Sequence, residues 1–418
     1  MKFGLFYEHQ LPRPWDEGSE LRLYHESLDQ AELADRLGYD CIWEVEHHFL
    51  DEYSHSSAPE VFLAACSQRT SRIRLGHGIV QHPPAYNHPA RIAERIAALD
   101  LVSNGRVEWG TGESASRMEL EGFGIAPGEK RGMWEESVRE TAKMMAQTPY
   151  AGYEGEHFSM PARNVIPKPV QKPHPPLWVA CSSRETIRRA ARLGMGALAF
   201  AFVSPEDAKM WVDEYYRVFE AECNPIGRAV NPNVAMVASF SCHTDERTAF
   251  ERGFEGFRFF QFALAHFYVN GSHQPGRTDV WKRFKEQDSK PGRGEVGMEM
   301  PEQVGGSVFK SGGVGIGTPE QVGERLFQME EAGVDQVVFL QQAGKNRHEH
   351  ICESLQTFAE ETMPAFQERR AGIEARKRER LASAVEAAER RMPPLDPRPE
   401  PGEPIDAYPL QREKAGSG

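Results

Sequence analysis

The sequence predicts an α/β protein that folds as a single (β/α)8 (TIM) barrel, with insertions after strands four and seven. Eight short apolar runs recur along the chain, and an amphipathic helical pattern follows each of them. Alternation of this kind is typical of parallel sheets, and eight βα units are the number that closes into a barrel. Continuously apolar runs such as 196–202 fit strands that are covered on both faces. Periodicity alone does not distinguish a closed barrel from an open doubly wound sheet.

The elements repeat in the order strand, loop, helix. The predicted strands cover residues 2–7, 40–46, 72–80, 106–111, 176–181, 196–202, 233–242 and 335–340. The predicted helices cover residues 20–37, 58–69, 89–102, 132–146, 184–193 and 205–222, then one that starts near Asp245, and finally 349–361.

Two segments interrupt this repeat. Residues 148–176 are rich in proline, glycine and aromatic residues, and we expect an excursion with a small hairpin there. Residues 270–317 are rich in glycine and polar residues and have weak periodicity. A loop of that length in a compact barrel is either an active-site lid or disordered. We expect it to be mobile without ligand and to shield the reaction from water when it closes.

The carboxyl-terminal part has a different composition. Residues 366–392 are charged and helix-prone, and from Pro393 onward the chain is proline-rich, which predicts disorder. We therefore expect a catalytic barrel domain over residues 1–365 and a tail over residues 366–418.

Composition limits the class of protein. Hydrophobic residues make up 39% of the 418 residues and charged residues 27%, which suits a soluble globular protein. The net charge of −13 argues against a nucleic-acid partner. No apolar run approaches the roughly 18 residues that span a bilayer, and the first residues lack a signal-peptide pattern. The six cysteines include no CxxC pair, so we expect reduced thiols in the cytoplasm and neither a disulfide framework nor a zinc site.

The end of strand two carries the most informative polar residues. Glu46, His47, His48 and Phe49 follow one another there, and a barrel places its chemistry at the carboxyl ends of its strands. Adjacent residues on an extended segment point to opposite sides, so one histidine should face the barrel mouth. An imidazole exchanges protons near neutral pH, which fits acid–base catalysis. A pair of hydrogen-bonded structural histidines is the alternative.

The ends of strands three and four are rich in glycine. Gly78 allows a flat ligand ring to approach the backbone, although the prolines between His82 and His88 fit turn chemistry equally well. Residues 110–115 match the dinucleotide pattern G-x-G-x-x-A. Three other βα units precede this match and no clear helix follows it at once. We therefore interpret it as a loop that leaves room for a ligand at the barrel mouth.

Strand five runs into a small, hydroxyl-rich turn. Cys181, Ser182, Ser183 and Arg184 lead into a helix, whose first N–H groups form a site for an anion. Serine also caps helices in the ordinary way, and the two roles are compatible. Thr318, followed by proline, is interpreted as a structural helix cap.

Four stretches of the chain resemble the bacterial-luciferase-like flavin-dependent monooxygenases. They are EHHF at 46–49, the stretch from LGHGIVQHPP to GTGES at 75–114, RNVIPKPVQKPHPPLWVACSS at 163–183, and GTPEQVGERLFQMEEAGVDQVVFLQQAG at 317–344. The resemblance extends over roughly residues 1–365 and keeps the order of the elements.

This resemblance implies a barrel that binds FMN at its carboxyl-terminal mouth. In the family a separate flavin reductase delivers the flavin reduced, dioxygen adds to the flavin 4a carbon, and the resulting peroxyflavin oxygenates the substrate. His47 matches the family's catalytic histidine, and His48 is predicted with it. The flavin ring would lie against Gly78, where the family often has a strained or cis peptide. The other residues that the resemblance places around FMN are Thr111 and Gly112 beside the cofactor, and Cys181, Ser182 and Ser183 at its phosphate.

One departure from the family pattern concerns the phosphate. Glu113 stands after the GTG turn, where many relatives have an arginine, and a carboxylate beside a phosphate is unfavourable. Arg117 or Arg184 then supplies the positive charge, or Glu113 points away, or phosphate affinity is reduced.

The sequence leaves three other functions open. The first is hydride transfer with a deazaflavin coenzyme and no oxygen chemistry, and the second is a flavin-binding partner subunit without catalysis. The third is a metal-dependent hydrolase built on His47, His48, His82 and His88. If the protein is a flavin-dependent monooxygenase, we expect a small hydrophobic substrate, a flavin reductase as partner, and a homodimer or higher homo-oligomer. No residue pattern identifies the substrate.

Overall fold

A computed structural model describes residues 1–200, 202–288 and 313–397. Eight parallel strands form a closed barrel in which neighbours along the chain are neighbours in the sheet. The ring closes between the third and fourth strands, where Leu75 lies opposite Val107. The predicted closed barrel is therefore confirmed. The barrel strands are β1 (Lys2–Tyr7), β2 (Cys41–Glu44), β3 (Arg74–His77), β4 (Val107–Gly112), β5 (Leu177–Cys181), β6 (Gly196–Ala199), β7 (Val234–Ala238) and β8 (Gln336–Gln341).

Helices surround the barrel, and local sequence fixes where several of them begin. Ser183 and Thr318 each form a capping box, and the side chains of Ser204 and Asp245 accept hydrogen bonds from the first turns of their helices. The helices are α1 (Ser19–Leu37), α2 (Pro59–Arg69), α3 (Pro89–Val102), α4 (Arg117–Gly122), α5 (Lys130–Ala146), α6 (Arg184–Arg192), α7 (Pro205–Glu222), α8 (Glu246–Ala265), α9 (Val280–Asp288), α10 (Pro319–Glu331), α11 (His348–Glu361) and α12 (Met363–Arg391).

Large side chains fill the barrel interior. Trp43 of β2 and Trp178 of β5 meet edge to face with ring centroids 5.3 Å apart, and both are buried. A side chain at Gly76 would place its Cβ 2.5 Å from the Trp43 ring, so the strand needs glycine at this point. The interior is thus a packed core, which leaves the strand ends as the place for a ligand.

The insertion after β4 contains the expected hairpin. Tyr153–Glu154 pairs in antiparallel fashion with Ser159–Met160. The insertion after β7 is more ordered than its weak periodicity predicts. α8 ends in a π-helical turn, His266–Asn270, and α9 follows within the segment expected to be a loop.

The expectation of a loop without helix is wrong for α9 because a distant residue stabilises this helix. The buried carboxylate of Glu52, in the loop after β2, accepts hydrogen bonds from the N–H groups of Val280 and Trp281 at 2.6 and 3.0 Å. A cap supplied from another part of the chain leaves no local sequence signal. Residues 289–312, the rest of the predicted lid, lie outside the described residues, so the lid stays a prediction.

The charged stretch after residue 365 forms α12, which packs across the amino-terminal end of the barrel. Phe366 and Leu381 are buried there. Arg370 makes a bidentate ion pair with Asp40 at 2.6 and 2.8 Å, and Lys377 pairs with Asp335 at 2.5 Å. The domain boundary at residue 365 stays a prediction, and the proline-rich residues 398–418 lie outside the described residues. None of the described helices is both long and apolar enough to cross a membrane.

Candidate active site

Two cavities differ in position and in chemistry. A groove of about 1390 Å³ lies beneath α12 at the amino-terminal end of the barrel. Its charged groups largely pair with one another, as Arg74 does with Glu108 and Arg370 with Asp40. A pocket of about 210 Å³ lies at the carboxyl ends of the strands. We take the smaller pocket as the candidate active site because barrels place their chemistry at this end.

The two adjacent histidines after β2 point to opposite sides. His47 lines the pocket. The ring of His48 turns away, with Nε2 3.1 Å from Glu46 Oε1 and an edge-to-face contact with Phe123 at 5.0 Å. Successive side chains of an extended segment point to opposite sides, so the two histidines have different surroundings.

Glu46 holds the loop after β3 in place. Its Oε2 accepts the backbone N–H of Gln81 at 2.8 Å, and its Oε1 accepts the side-chain amide of Asn87 at 2.9 Å. The carboxylate before the two histidines therefore connects two strand ends, a role that sequence reasoning missed.

The ring of His47 is surrounded by acidic and phenolic groups. Nδ1 lies 3.0 Å from Glu119 Oε1 and 3.2 Å from the Tyr268 hydroxyl, and Nε2 lies 3.6 Å from Glu8 Oε2. Burial lowers the pKa of His47, but the carboxylates of Glu119 and Glu8 outweigh burial and raise this pKa from 6.5 to about 9. Near neutral pH the imidazole is therefore protonated.

Gly78 and Gly112 both lie at the pocket. The four cis peptide bonds among the described residues all precede prolines elsewhere, and Gly78 does not have a positive φ, so the strain implied by the resemblance is not found at Gly78. At Gly112 a Cβ would lie 2.4 Å from Ile79 Cδ1. Glycine at this position lets the residues after β3 run close to β4.

Thr111 and Cys181 are fully buried and do not line the pocket. Thr111 Oγ1 donates to the Trp178 carbonyl at 3.0 Å and accepts from Trp134 Nε1 at 3.1 Å. Burial raises the pKa of Cys181 to about 12, which keeps its thiol protonated. Their predicted contacts with a cofactor stay predictions.

The backbone N–H donors of the turn after β5 already form hydrogen bonds with a nearby side chain. The N–H groups of Ser182 and Ser183 donate to Thr186 Oγ1 at 3.1 and 3.0 Å, and the Ser183 hydroxyl caps α6. Ser182 and Thr186 line the pocket, whereas Ser183 does not. An anion at this turn would therefore compete with the Thr186 hydroxyl for the two N–H groups.

Glu113 lines the pocket beside cationic side chains. Its Oε1 lies 3.6 Å from Lys130 Nζ and 3.3 Å from Arg131 Nη2. The structure places neither of the arginines considered from the sequence beside it: Arg117 pairs with Glu121 and Arg184 pairs with Glu214 on the exposed surface.

Arg189 is a further cation of the pocket that sequence reasoning missed. It lies one turn after Thr186 on α6 and lines the cavity. Its neighbours Arg184 and Arg188 both pair with Glu214, whereas the guanidinium of Arg189 forms no hydrogen bond or ion pair with the described residues. Burial lowers the pKa of Arg189. A partly buried arginine without a partner suits a negatively charged ligand.

Aromatic and aliphatic side chains form the other half of the pocket. Tyr53, Phe200, Phe202, Phe260 and Leu264 line this side. The cavity thus has a charged end near α6 and an apolar end beneath α8, with His47 at its wall.

The remaining histidines of the metal alternative have separate roles. His82 is buried between Trp109 and Ser137, with ring nitrogens 3.1 Å from each partner atom, and His88 caps α3. Among the residues that the structure describes, no group of three or more His, Cys, Asp or Glu side chains could hold a metal ion.

Comparison with known proteins gives a consistent result. A family model described as luciferase-like monooxygenase matches residues 1–336. The oxygenase component of a flavin-dependent trigonelline monooxygenase from Acinetobacter baylyi is 32% identical over 182 residues, which are 43% of this chain and 49% of that protein. Limonene 1,2-monooxygenase from Rhodococcus erythropolis is 37% identical over 122 residues, 29% of this chain and 31% of that protein. The chain spans 49% to 60% of the length of the first curated relatives that it matches.

Solved structures share the architecture. The monooxygenase RslO1 from Streptomyces bottropensis has a TM-score of 0.68 at 25% identity, covering 88% of this chain and 100% of that one. The oxygenating constituent of 3,6-diketocamphane monooxygenase from Pseudomonas putida, in complex with FMN, has a TM-score of 0.61 at 18% identity, with 87% and 98% covered. A coenzyme F420-dependent tetrahydromethanopterin reductase from Methanopyrus kandleri has a TM-score of 0.58 at 19% identity, with 87% and 99% covered. The last two likenesses concern the fold alone.

Proposed function

Because this chain belongs to the luciferase-like monooxygenase family, we propose that it uses reduced FMN and dioxygen to oxygenate a small, uncharged and hydrophobic organic molecule. The observation that carries this proposal is the division of one pocket into a cationic end and an aromatic end, with a protonated histidine at its wall. FMN has the same division, since its phosphate is anionic and its ring system is flat and largely apolar.

The residues at the charged end fit a phosphate. Lys130, Arg131 and Arg189 bring three positive charges to this end, whereas Glu113 brings one negative charge. The excess of cations offsets the carboxylate that replaces the family's arginine. Arg189 is the best candidate for direct contact, because Lys130 and Arg131 already lie against Glu113.

The residues in the middle of the pocket fit the flavin ring. Gly78, Ile79 and Gly112 present backbone and aliphatic carbon there, and Val179 and Ala180 add further apolar surface. A flat ring can lie against such a surface without meeting a long side chain.

Bound reduced flavin would supply the electrons that activate dioxygen. The chain's own residues would provide three further conditions: the aromatic wall binds the substrate, the buried end excludes water, and His47 presents a positive charge and an N–H donor. An uncharged substrate is favoured because the wall formed by Phe200, Phe202 and Phe260 has no cation or carboxylate of its own.

The supply of reduced flavin by a separate reductase is part of this proposal. A relative is named as an oxygenase component, which implies a second component in that system. We expect the present chain to accept chemically reduced FMN as well, because the pocket is a preformed cavity of the folded chain.

The proposal is tested by calorimetric titration of FMN into the wild-type protein and two variants. Arg189→Ala should weaken FMN binding by about tenfold or more, since it removes a charge-assisted contact with the phosphate. Arg184→Ala is the matched control, because this arginine lies on the same helix but faces Glu214 outside the pocket. Equal affinity of wild type and Arg189→Ala would refute the phosphate assignment, and absence of FMN binding by the wild type would refute the cofactor.

The deazaflavin alternative is tested on the same samples. A reduced deazaflavin transfers hydride without consuming oxygen, so oxygen uptake separates the two reactions. Tighter binding of the deazaflavin coenzyme than of FMN, together with no oxygen uptake, would favour the alternative.

A further inference from the structure

Three segments that are far apart in the sequence converge on the ring of His47. They are the end of β1 with Glu8, helix α4 with Glu119, and the π-helical turn with Tyr268. Carboxylate oxygens therefore face both ring nitrogens. A neutral imidazole has one N–H donor and one acceptor, so it cannot donate to both carboxylates, whereas an imidazolium can.

Glu119 is fixed in place by several donors. Its Oε1 accepts the backbone N–H of His48 at 3.0 Å in addition to facing His47, and its Oε2 accepts the Ser114 hydroxyl at 2.8 Å. The side chain has no exposed surface. These hydrogen bonds fix the Glu119 carboxylate against His47 Nδ1.

Glu8 has one oxygen engaged and one free. Its Oε1 accepts the Tyr53 hydroxyl at 3.0 Å, while the buried Oε2 has no hydrogen-bond partner and faces His47 Nε2 at 3.6 Å. Burial raises the pKa of Glu8 to about 7, against the opposing effect of His47. The free oxygen is therefore placed to attract the charged ring at Nε2.

The other ionisable groups around the ring do not oppose this charge. Glu46 adds further negative potential, and Tyr53 and Tyr268 are phenols whose pKa values burial raises, so they stay neutral. Among the described residues, the groups that face His47 are thus either anionic or neutral.

We propose that Glu119 and Glu8 are positioning residues that hold His47 as a fixed imidazolium. His47 then acts on bound reactants as a cation and proton donor, and not as a neutral base. What His47 acts on rests on the proposed function, but its charge state does not. A fixed positive charge at the wall of a low-dielectric pocket stabilises negative charge that develops on a reactant oxygen.

Histidine-ring NMR on the full-length protein without cofactor measures this charge state directly. The protein is labelled with ¹⁵N in its histidine rings, and His47→Gln identifies the His47 signals. In the wild type, His47 should titrate near pH 9. Glu119→Gln and Glu8→Gln should each lower this midpoint by about one unit or more, because each removes an opposite charge close to the ring. Glu121→Gln is the matched control on α4, since its exposed carboxylate pairs with Arg117.

A wild-type midpoint near 6.5 would overturn the proposal, and so would Gln variants that leave the midpoint unchanged. If Glu119→Gln does not fold, the wild-type titration and Glu8→Gln decide the matter by the same criteria. The FMN titration described above is independent of this result. A midpoint near 9 without FMN binding would leave the charge state established and the proposed function refuted.

Discussion

His47 and His48 are adjacent in the sequence, but only His47 faces the candidate active site. His47 faces the pocket between Glu8 and Glu119, whereas His48 faces Glu46 and an aromatic contact outside it. Sequence reasoning treats two adjacent histidines alike until strand alternation is considered. The backbone around them therefore decides which one can meet a ligand.

This difference predicts distinct outcomes for the two alanine variants. His47→Ala should bind FMN nearly as the wild type does, but lose on the order of 10²-fold in substrate oxygenation, the usual size of a positioned proton donor's contribution. His48→Ala should retain the chemical step and lose stability, because Glu46 and its aromatic neighbours lose a packing partner. Single-turnover product yields and urea unfolding separate the two effects. Oxygenation by His47→Ala at the wild-type rate would remove the catalytic role from this residue.

Some of the pocket residues could be predicted from the sequence because they lie at the ends of barrel strands. Gly112 ends a barrel strand, and His47, Gly78 and Ser182 come within three residues after one, so the rule about strand ends finds them. Glu8 follows β1 and could have been found by the same rule.

Other residues that line the pocket or contact His47 carry no such signal. Glu119, Lys130 and Arg189 lie on helices, and Tyr268 lies on a π-helical turn. Their approach to the pocket depends on how helices pack around the barrel, which local sequence does not encode. Glu113 was noticed as a departure from the family pattern, but its cationic neighbours lie 17 and 18 positions further along the chain.

At the scale of elements, the barrel units were predictable because each has a strong local pattern. The strands are short and largely apolar, and several helices begin at serine, threonine or aspartate caps. α9 was missed because Glu52 caps it from a distant loop. The same contact connects the first half of the insertion after β7 to the loop that carries His47 and His48.

Helix α12 lies outside the (β/α)8 repeat but is tied to it by specific ion pairs. The Arg370 guanidinium binds both oxygens of Asp40, and Asp40 Oδ2 also accepts the backbone N–H of Phe3. The pair is mostly buried, with 21% and 17% of the two side chains exposed. The helix therefore links the beginnings of β1 and β2 at the barrel base.

Removal of this link should reduce stability without changing the pocket. Arg370→Ala should lower the free energy of unfolding by about 1–3 kcal/mol, the range for hydrogen bonds to charged groups when one partner is lost. Arg390→Ala is the control on the same helix, since its pair with Glu386 is exposed and should contribute about 0.5 kcal/mol or less. Urea denaturation measures both values. Equal midpoints for wild type and Arg370→Ala would mean that α12 is only loosely attached to the barrel.

At the scale of the whole molecule, the two ends of the barrel have separate roles. The carboxyl end holds the pocket with protonated His47 and with Arg189, which has no ion-pair partner among the described residues. The amino end is covered by α12 with its paired charges. The proposed ligand site thus lies at the end of the barrel that α12 does not cover. Solved structures with this fold include one in complex with FMN and one that is coenzyme F420-dependent, so the fold alone does not decide between flavin and deazaflavin chemistry.

An experiment with isotope-labelled oxygen tests most directly whether the protein is an oxygenase or a deazaflavin-dependent enzyme. Reduced FMN bound to the protein is mixed with ¹⁸O₂ and a panel of uncharged hydrophobic compounds, and products are analysed by mass spectrometry. The proposed function predicts at least one product that carries a single ¹⁸O atom, while the other oxygen atom leaves as water. Oxygen consumption no faster than that of free reduced FMN, with no labelled product and with hydride transfer from a reduced deazaflavin, would contradict it.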